Sequence, residues 1–243
     1  MLFMEILDYH SSVTGTTRHC SVYKPDLPGI GKPAFLLVVL HGIGGDEYEW
    51  ARFGHPEIIL DDLISKGVIP PLVAIFPNGR ASVPDTVPED PFEPQAIEGF
   101  GRFGEELLHD ILPLAHRTFS IPDSSRNRAL CGLSMGGGQT LNIGLEHPDC
   151  FSRIAAFSAA PNSEVARMLA LHPDRAGADW PPVWLCCGRA DDLIEVTRGA
   201  EKALVEAGID VTATYMQGGH DWPVWKYGLR HALVHFWQEG INA

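Results

Sequence analysis

Apolar residues along the chain gather into short continuous runs separated by longer mixed stretches. Phe35 to Leu40 ends at His41-Gly42, and Leu72 to Phe76 lies between Pro71 and Pro77. Ala129 to Cys131 enters Gly132, and Ile154 to Ser158 follows. Val183 to Cys187 ends at Gly188, and Val211 to Met216 precedes Gly218-Gly219. Runs of this length without polar alternation suit strands buried on both faces. Helical periodicity falls between them. Glu105 to Phe119 puts Leu107, Leu108, Ile111, Leu112 and Ala115 on one face, with Pro113 expected to kink it. Gly136 to Leu145, Val196 to Ala207 and Leu229 to Trp237 are further helices, and Gly208 stands where a helix C′ residue belongs. Strand–helix alternation predicts an α/β fold, a mostly parallel central sheet with helices on both faces. The N-terminal stretch containing Thr14, Thr16, Thr17, Val22 and Tyr23 suits antiparallel edge strands.

One segment breaks the alternation. Asn78 to Phe103 carries Pro84, Pro88, Pro91 and Pro94 among Asp85, Glu89, Asp90, Glu93 and Glu98. A structureless connection of that length is uncommon unless it has a role. It reads as a loop insertion over an active site; the alternative is a surface loop without function. No repeat or interdomain linker interrupts the rest, so residues 1–243 are expected to form one domain.

Composition narrows the partners. A formal net charge of -13 argues against nucleic acid, which requires clustered Lys and Arg. No stretch approaches the roughly 20 apolar residues that span a bilayer. The start, Met1-Leu2-Phe3-Met4-Glu5, lacks the basic and then apolar pattern of a secretory leader. The expected address is cytoplasmic as the sequence stands, or outside the cell if a leader has been removed. Cys20, Cys131, Cys150, Cys186 and Cys187 are odd in number and without framework spacing, which predicts free thiols. No zinc-ligand spacing is present.

The third run leads into Gly132-Leu133-Ser134-Met135-Gly136, which fits the G-x-S-x-G nucleophile elbow. A serine on a tight strand-to-helix turn needs small residues two before and two after it. The predicted strand and helix flank it as required, and the helix N-terminus supplies positive dipole for an oxyanion. Upstream, His41-Gly42-Ile43-Gly44-Gly45 follows a buried strand. The N–H groups of Ile43 and Met135 are therefore assigned to the oxyanion hole, and His41 to holding the loop.

A serine nucleophile needs a base and a group that orients the base. Of the later histidines, His147 precedes Pro148 at a helix end, and His231 and His235 lie in the last helix. His220 alone follows a strand and a glycine pair, at a strand's C-terminal edge where such folds gather their chemistry. It is assigned as the base, so activity should fall at acidic pH as the base is protonated. The acid belongs after the preceding strand, in Gly188-Arg189-Ala190-Asp191-Asp192. Asp191 is preferred; Asp192 and Glu195 are the alternatives, and unused carboxylates would be solvated or cap the next helix.

These segments, with Gly137-Gly138-Gln139, Ser158-Ala159-Ala160-Pro161-Asn162 and Gly218-Gly219-His220-Asp221-Trp222, resemble the putative-esterase family of α/β-hydrolases. The nearest likeness is to the feruloyl esterase domains attached to bacterial xylanases. The resemblance implies an α/β-hydrolase fold. It also implies an acid at the last residue of a Cys-Gly-x-x-Asp stretch, hence Asp191, and a base at His220. Two features depart from it: no leader is visible, and the 78–103 segment differs in length and acidity. The expected activity is hydrolysis of feruloyl (hydroxycinnamoyl) esters of plant cell-wall polysaccharide. The alternatives are an acetyl xylan esterase, a siderophore esterase, a general short-chain carboxylesterase, or a binding protein without catalysis. Neither metal nor cofactor is required. The partner is a small-molecule or oligosaccharide ester, with no membrane involved. Trp222 and Trp225 are candidates to line the substrate site; the alternative is packing.

Overall fold

The computed structural model describes residues 4–238. The first residues of the segment on which the absence of a leader was read lie outside this range. The element order is β1 (Glu5–His10), β2 (Thr17–Tyr23), β3 (Phe35–Leu40), α1 (Pro56–Ser65), β4 (Leu72–Pro77), α2 (Pro94–Glu106), α3 (Leu112–Phe119), β5 (Arg128–Leu133), α4 (Ser134–Glu146), β6 (Arg153–Phe157), α5 (Val165–Ala170), β7 (Val183–Gly188), α6 (Ile194–Glu206), β8 (Val211–Met216) and α7 (Trp222–Gln238). The strands form one sheet in the order β1-β2-β4-β3-β5-β6-β7-β8. The β1–β2 and β2–β4 pairs are antiparallel and the remaining pairs parallel. This is the mostly parallel α/β sheet expected from the strand–helix alternation, in the α/β-hydrolase arrangement that the resemblance implied.

The continuous apolar runs follow from burial on both faces. Leu36, Val38 and Leu40 of β3 join a core with Phe103, Leu141, Met168 and Leu204, from the helices α2, α4, α5 and α6. Leu37 and Val39 point the other way, into a core with Leu60 and Leu63 of α1 and Leu229, Leu233 and Phe236 of α7. Period-2 alternation within a strand serves two cores at once, so no polar position is left. Among the described residues no helix is long and apolar enough to cross a membrane.

Two helices begin earlier than their apolar periodicity indicates. The proline-rich segment is loop only as far as Glu93. Pro94 occupies the first turn of α2, where its missing N–H costs nothing, and Ala96, Phe100 and Phe103 turn inward. The 78–103 stretch is thus partly helical, contrary to the expectation of a structureless insertion. Pro113 is accommodated by one wide turn, Leu107–Ile111, closed by Leu112 N–H on the Leu107 carbonyl. The last helix starts at Trp222, because the Asp221 carboxylate accepts the Val224 N–H at 3.2 Å and Pro223 tolerates the first turn.

A buried polar cluster ties the edge strands to α2. Glu106 accepts hydrogen bonds from Tyr9 Oη at 2.6 Å and from the Ser11 hydroxyl, and pairs with Arg18 at 3.3 Å. Arg18 also donates to the Asn78 carbonyl at 2.9 Å and pairs with Asp85 at 3.3 Å. Glu106 and Arg18 are fully buried. Glu106→Ala takes the buried carboxylate from Arg18, which keeps the more exposed Asp85, and unpairs two hydroxyls; it should cost about 3 kcal/mol in urea unfolding. Joint Arg18→Met and Glu106→Leu replacement removes both charges but leaves the Tyr9 and Ser11 hydroxyls unpaired, and should recover only part of that loss. A single-variant cost below about 1 kcal/mol would show that the cluster contributes little.

Candidate active site

Every side chain of the candidate site sits at the C-terminal edge of the parallel strands. Ser134 is the first residue of α4, directly after β5, with φ +53°. That left-handed conformation is unfavourable for serine and persists only where the surroundings impose it. The elbow glycines supply the room. A Cβ on Gly132 would lie 2.4 Å from the Gly136 carbonyl oxygen, and one on Gly136 would lie 2.4 Å from that of His41. No larger residue fits either position.

His220 bridges the two other groups. Its Nε2 lies 2.9 Å from Ser134 Oγ, and its Nδ1 lies 3.0 Å from Asp191 Oδ2 and 3.2 Å from Oδ1. The network assigns the ring proton to Nδ1, leaving Nε2 to accept from the serine. Asp191 is 3 % exposed and also accepts the Leu193 N–H at 2.8 Å. Burial pushes its carboxyl upward. The Ser158 hydroxyl, the Leu193 N–H and His220 outweigh that and hold it below the ordinary carboxylate range. Asp192 is exposed and outside this arrangement.

The loops that carry Asp191 and His220 are packed backbone on backbone. A Cβ on Gly188 would lie 2.4 Å from the Gly218 carbonyl oxygen. Arg189 N–H donates to Met216 O at 2.8 Å and Ala190 N–H to Gly218 O at 2.9 Å. Asp191 and His220 are therefore fixed relative to one another by main chain.

The glycine loop after β3 lies against the elbow, through Gly136 N–H on the His41 carbonyl at 3.0 Å. This brings the loop carrying Ile43 to the turn carrying Met135. Met135 is in the first turn of α4, so its N–H has no intrahelical acceptor. His41 Nε2 accepts the Gly79 N–H at 2.9 Å, and Nδ1 donates to Gly42 O at 2.6 Å. The Gly42 carbonyl and the Ile43 N–H belong to one peptide group, so His41 sets the orientation of that N–H. Three further contacts were not read from the sequence. Glu49 accepts the Gly42 N–H at 2.9 Å, and Arg80 donates to the Ile43 and Gly45 carbonyls, each at 3.4 Å. Arg80 follows β4 at the sheet's C-terminal edge, a position that could have flagged it; Glu49 has no comparable signal.

Burial lowers the His41 pKa to about 4. The folded state thus takes up this proton later than the unfolded chain does as pH falls. Stability from this group is intact above about pH 6.5 and lost progressively down to about pH 4, on the order of 3 kcal/mol. Melting temperature against pH should fall less steeply across that window for His41→Gln than for the parent. Equal slopes would mean that His41 is not buried in its neutral form.

Trp225 is buried, with its ring edge-on to His220 at 5.0 Å and to Trp222 at 5.1 Å. It walls the His220 ring rather than opening toward solvent. Trp222 packs on Trp50 and on Phe53, and Phe53 is 52 % exposed. A cleft of about 530 Å³ runs between α2, α4 and α5, from Met135 along α4 to Glu146 and His147, with Phe100, Gln139, Asn162 and Met168 in its walls; Ser134 and His220 do not line it.

The family described as "Putative esterase" matches residues 11–236. The chain belongs to this family. With it, the chain belongs to the carboxylic ester hydrolases, as the resemblance implied. An endo-1,4-beta-xylanase/feruloyl esterase of Xylanibacter ruminicola is 30 % identical to this esterase over 152 residues. That match takes in 59 % of this chain and 20 % of the relative, so the chain spans about a fifth of that protein's length. An acetyl esterase of Caldicellulosiruptor saccharolyticus is 24 % identical over 236 residues, 81 % of either chain. A CE1 ferulic acid esterase from Anaeromyces mucronatus, solved with ferulic acid, superposes with a TM-score of 0.80 at 22 % identity. The superposition covers 95 % of this esterase and 89 % of that chain.

Proposed function

We propose that this esterase works by a Ser134–His220–Asp191 triad with the N–H groups of Ile43 and Met135 as oxyanion hole, and that it hydrolyses hydroxycinnamoyl esters of plant cell-wall polysaccharide. The observation that carries the reading is His220, with one ring nitrogen on the Ser134 hydroxyl and the other on the buried Asp191 carboxylate. His220 Nε2 takes the Ser134 proton as Oγ attacks the ester carbonyl. Negative charge then develops on the carbonyl oxygen, where the two N–H groups and the α4 dipole stabilise it. Asp191 holds the Nδ1–H tautomer and stabilises the imidazolium. The imidazolium protonates the leaving alcohol oxygen as the C–O bond breaks. Water, deprotonated by His220, attacks the acyl-enzyme; the acid is released and Ser134 regains its proton.

The substrate class rests on two supports. Relatives carry feruloyl and ferulic acid esterase in their names. The cleft beside Met135 has the size of a small-molecule site and an apolar ring, Phe100, on one wall. Of the 78–103 segment, Ile97, Phe100 and Gly101 of α2 line this cleft, which gives the helical part of the segment a role in shaping it. Trp222 and Phe53 form a second aromatic surface for sugar or aryl stacking, while Trp225 acts by packing against the base. Methyl ferulate, 4-nitrophenyl acetate and acetylated xylan discriminate the readings. Turnover of methyl ferulate with a higher kcat/KM than the acetyl esters is expected. Activity confined to acetyl esters would replace the hydroxycinnamoyl reading with an acetyl one, and no turnover of any ester would remove the enzyme reading.

A further inference from the structure

One buried amide joins three parts of the site. Gln139 lies on α4, just over one turn after Ser134, and is 3 % exposed. Its Nε2 donates to the Gly79 carbonyl beyond β4 and to the Phe100 carbonyl of α2, each at 2.8 Å. Carbonyl oxygens only accept, so the atom facing them is the amide nitrogen, and both of its hydrogens are used. Gln139 Oε1 is buried without a partner among the described residues. The amide is thus turned toward the two carbonyls even though its own oxygen forgoes a hydrogen bond. Gly79 leaves the space for this: a Cβ there would lie 2.9 Å from Gln139 Oε1.

Both contacts lead to His41. Gly79 donates its own N–H to His41 Nε2 at 2.9 Å. His41 Nδ1 donates to Gly42 O at 2.6 Å, and that carbonyl shares its peptide group with the Ile43 N–H. Three hydrogen bonds in series therefore run from the helix that begins at Ser134 to the peptide that carries the Ile43 N–H. Through the second contact Phe100 is held with its ring edge-on to the His41 ring at 6.0 Å, and the Arg80 guanidinium lies over it at 5.6 Å. Arg80 in turn donates to the Ile43 and Gly45 carbonyls. The peptide groups on both sides of the Ile43 Cα are thus held by side chains that pack on residues bonded to Gln139.

We infer that Gln139 is a positioning residue for ester hydrolysis, whose amide fixes the oxyanion loop relative to the Ser134 elbow by way of Gly79 and His41. The inference rests on the proposed triad and oxyanion hole. Ser134 and the Met135 N–H ride on α4, whereas the Ile43 N–H rides on the loop after β3. The two N–H groups stabilise one oxyanion only if helix and loop keep one spacing. Gly136 N–H on the His41 carbonyl ties helix to loop at the main chain, and Gln139 ties the helix to the His41 ring. Without the amide, the Gly79 and Phe100 carbonyls lose their shared donor, and the Gly79 N–H on His41 Nε2 is no longer held in place. Ground-state binding changes little, while the transition state loses a well-aimed donor.

Gln139→Met keeps the length of the side chain and removes both donors; Gly79→Ala crowds the same link from the other side. With 4-nitrophenyl acetate, at a temperature well below the melting point of each variant, both should lose about tenfold in kcat with KM little changed. Coupling to His41 separates positioning from packing. If Gln139 acts through His41, the double variant Gln139→Met with His41→Gln should be no slower than the slower single variant, whereas independent losses multiply. Multiplied losses overturn the inference, as does parent-like kcat in Gln139→Met or in His41→Gln. Should Gln139→Met not fold, parent-like kcat in Gly79→Ala overturns it. Ser134→Ala, assayed alongside, separates the two levels. If it is inactive while the Gln139 and Gly79 variants match the parent, only the role of Gln139 fails. If it turns over like the parent, the triad fails and the role of Gln139 falls with it.

Discussion

Ser134→Ala is expected to lower kcat toward any accepted ester by at least ~10⁴-fold, the scale set by other serine triads. The hydroxyl is the group on His220 Nε2, and among the described residues no other nucleophile is bonded to that nitrogen. Alanine removes one atom and leaves the elbow packing of Gly132 and Gly136 in place, so the fold should persist in thermal melts. The residual rate should come from the N–H groups of Ile43 and Met135 and from substrate binding. Near-normal turnover in a folded variant would refute the assignment of the nucleophile.

The second large effect separates neighbouring carboxylates. Asp191→Asn should cost on the order of 10⁴-fold in kcat, because an amide stabilises the wrong histidine tautomer while leaving the geometry nearly unchanged. Asp192→Asn should be close to neutral, since that side chain is exposed and not bonded to His220. A larger loss in the Asp192 variant would move the acid by one residue and reassign the turn after β7. Because Asp191 is held below the ordinary carboxylate range, it stays ionised as pH falls until that lowered value is reached. The loss of activity on the acidic side therefore belongs to protonation of the base.

The sheet was legible because β3, β4, β5, β6 and β7 are covered on both faces, which leaves unbroken apolar runs as their signature. Helix starts were less so. α2 has a sparse inward face of Ala96, Phe100 and Phe103, and glycines at 99, 101 and 104 weaken its pattern, so Pro94 read as loop punctuation rather than a first-turn residue. The start of α7 was signalled by Asp221 and Pro223 and was masked by the aromatic residues around them. In the site, Ser134, Asp191 and His220 each follow a strand and stand beside glycines, and this punctuation singles them out. Glu49 has no such mark, and Arg80, which follows β4 beside Gly79, has a mark but no motif. The contacts of both are with main chain of the loop after β3 and arise only once β3 and β4 are side by side.

The central claim, acyl transfer through Ser134, is tested most directly by covalent trapping. The protein would be treated with a fluorophosphonate, which phosphonylates an activated serine with loss of fluoride, then digested and examined by mass spectrometry. The account predicts one stoichiometric adduct on the peptide containing Ser134, absent from Ser134→Ala and strongly slowed in a His220→Ala variant. An adduct on another serine, or unimpaired labelling of the Ser134→Ala protein, would contradict it.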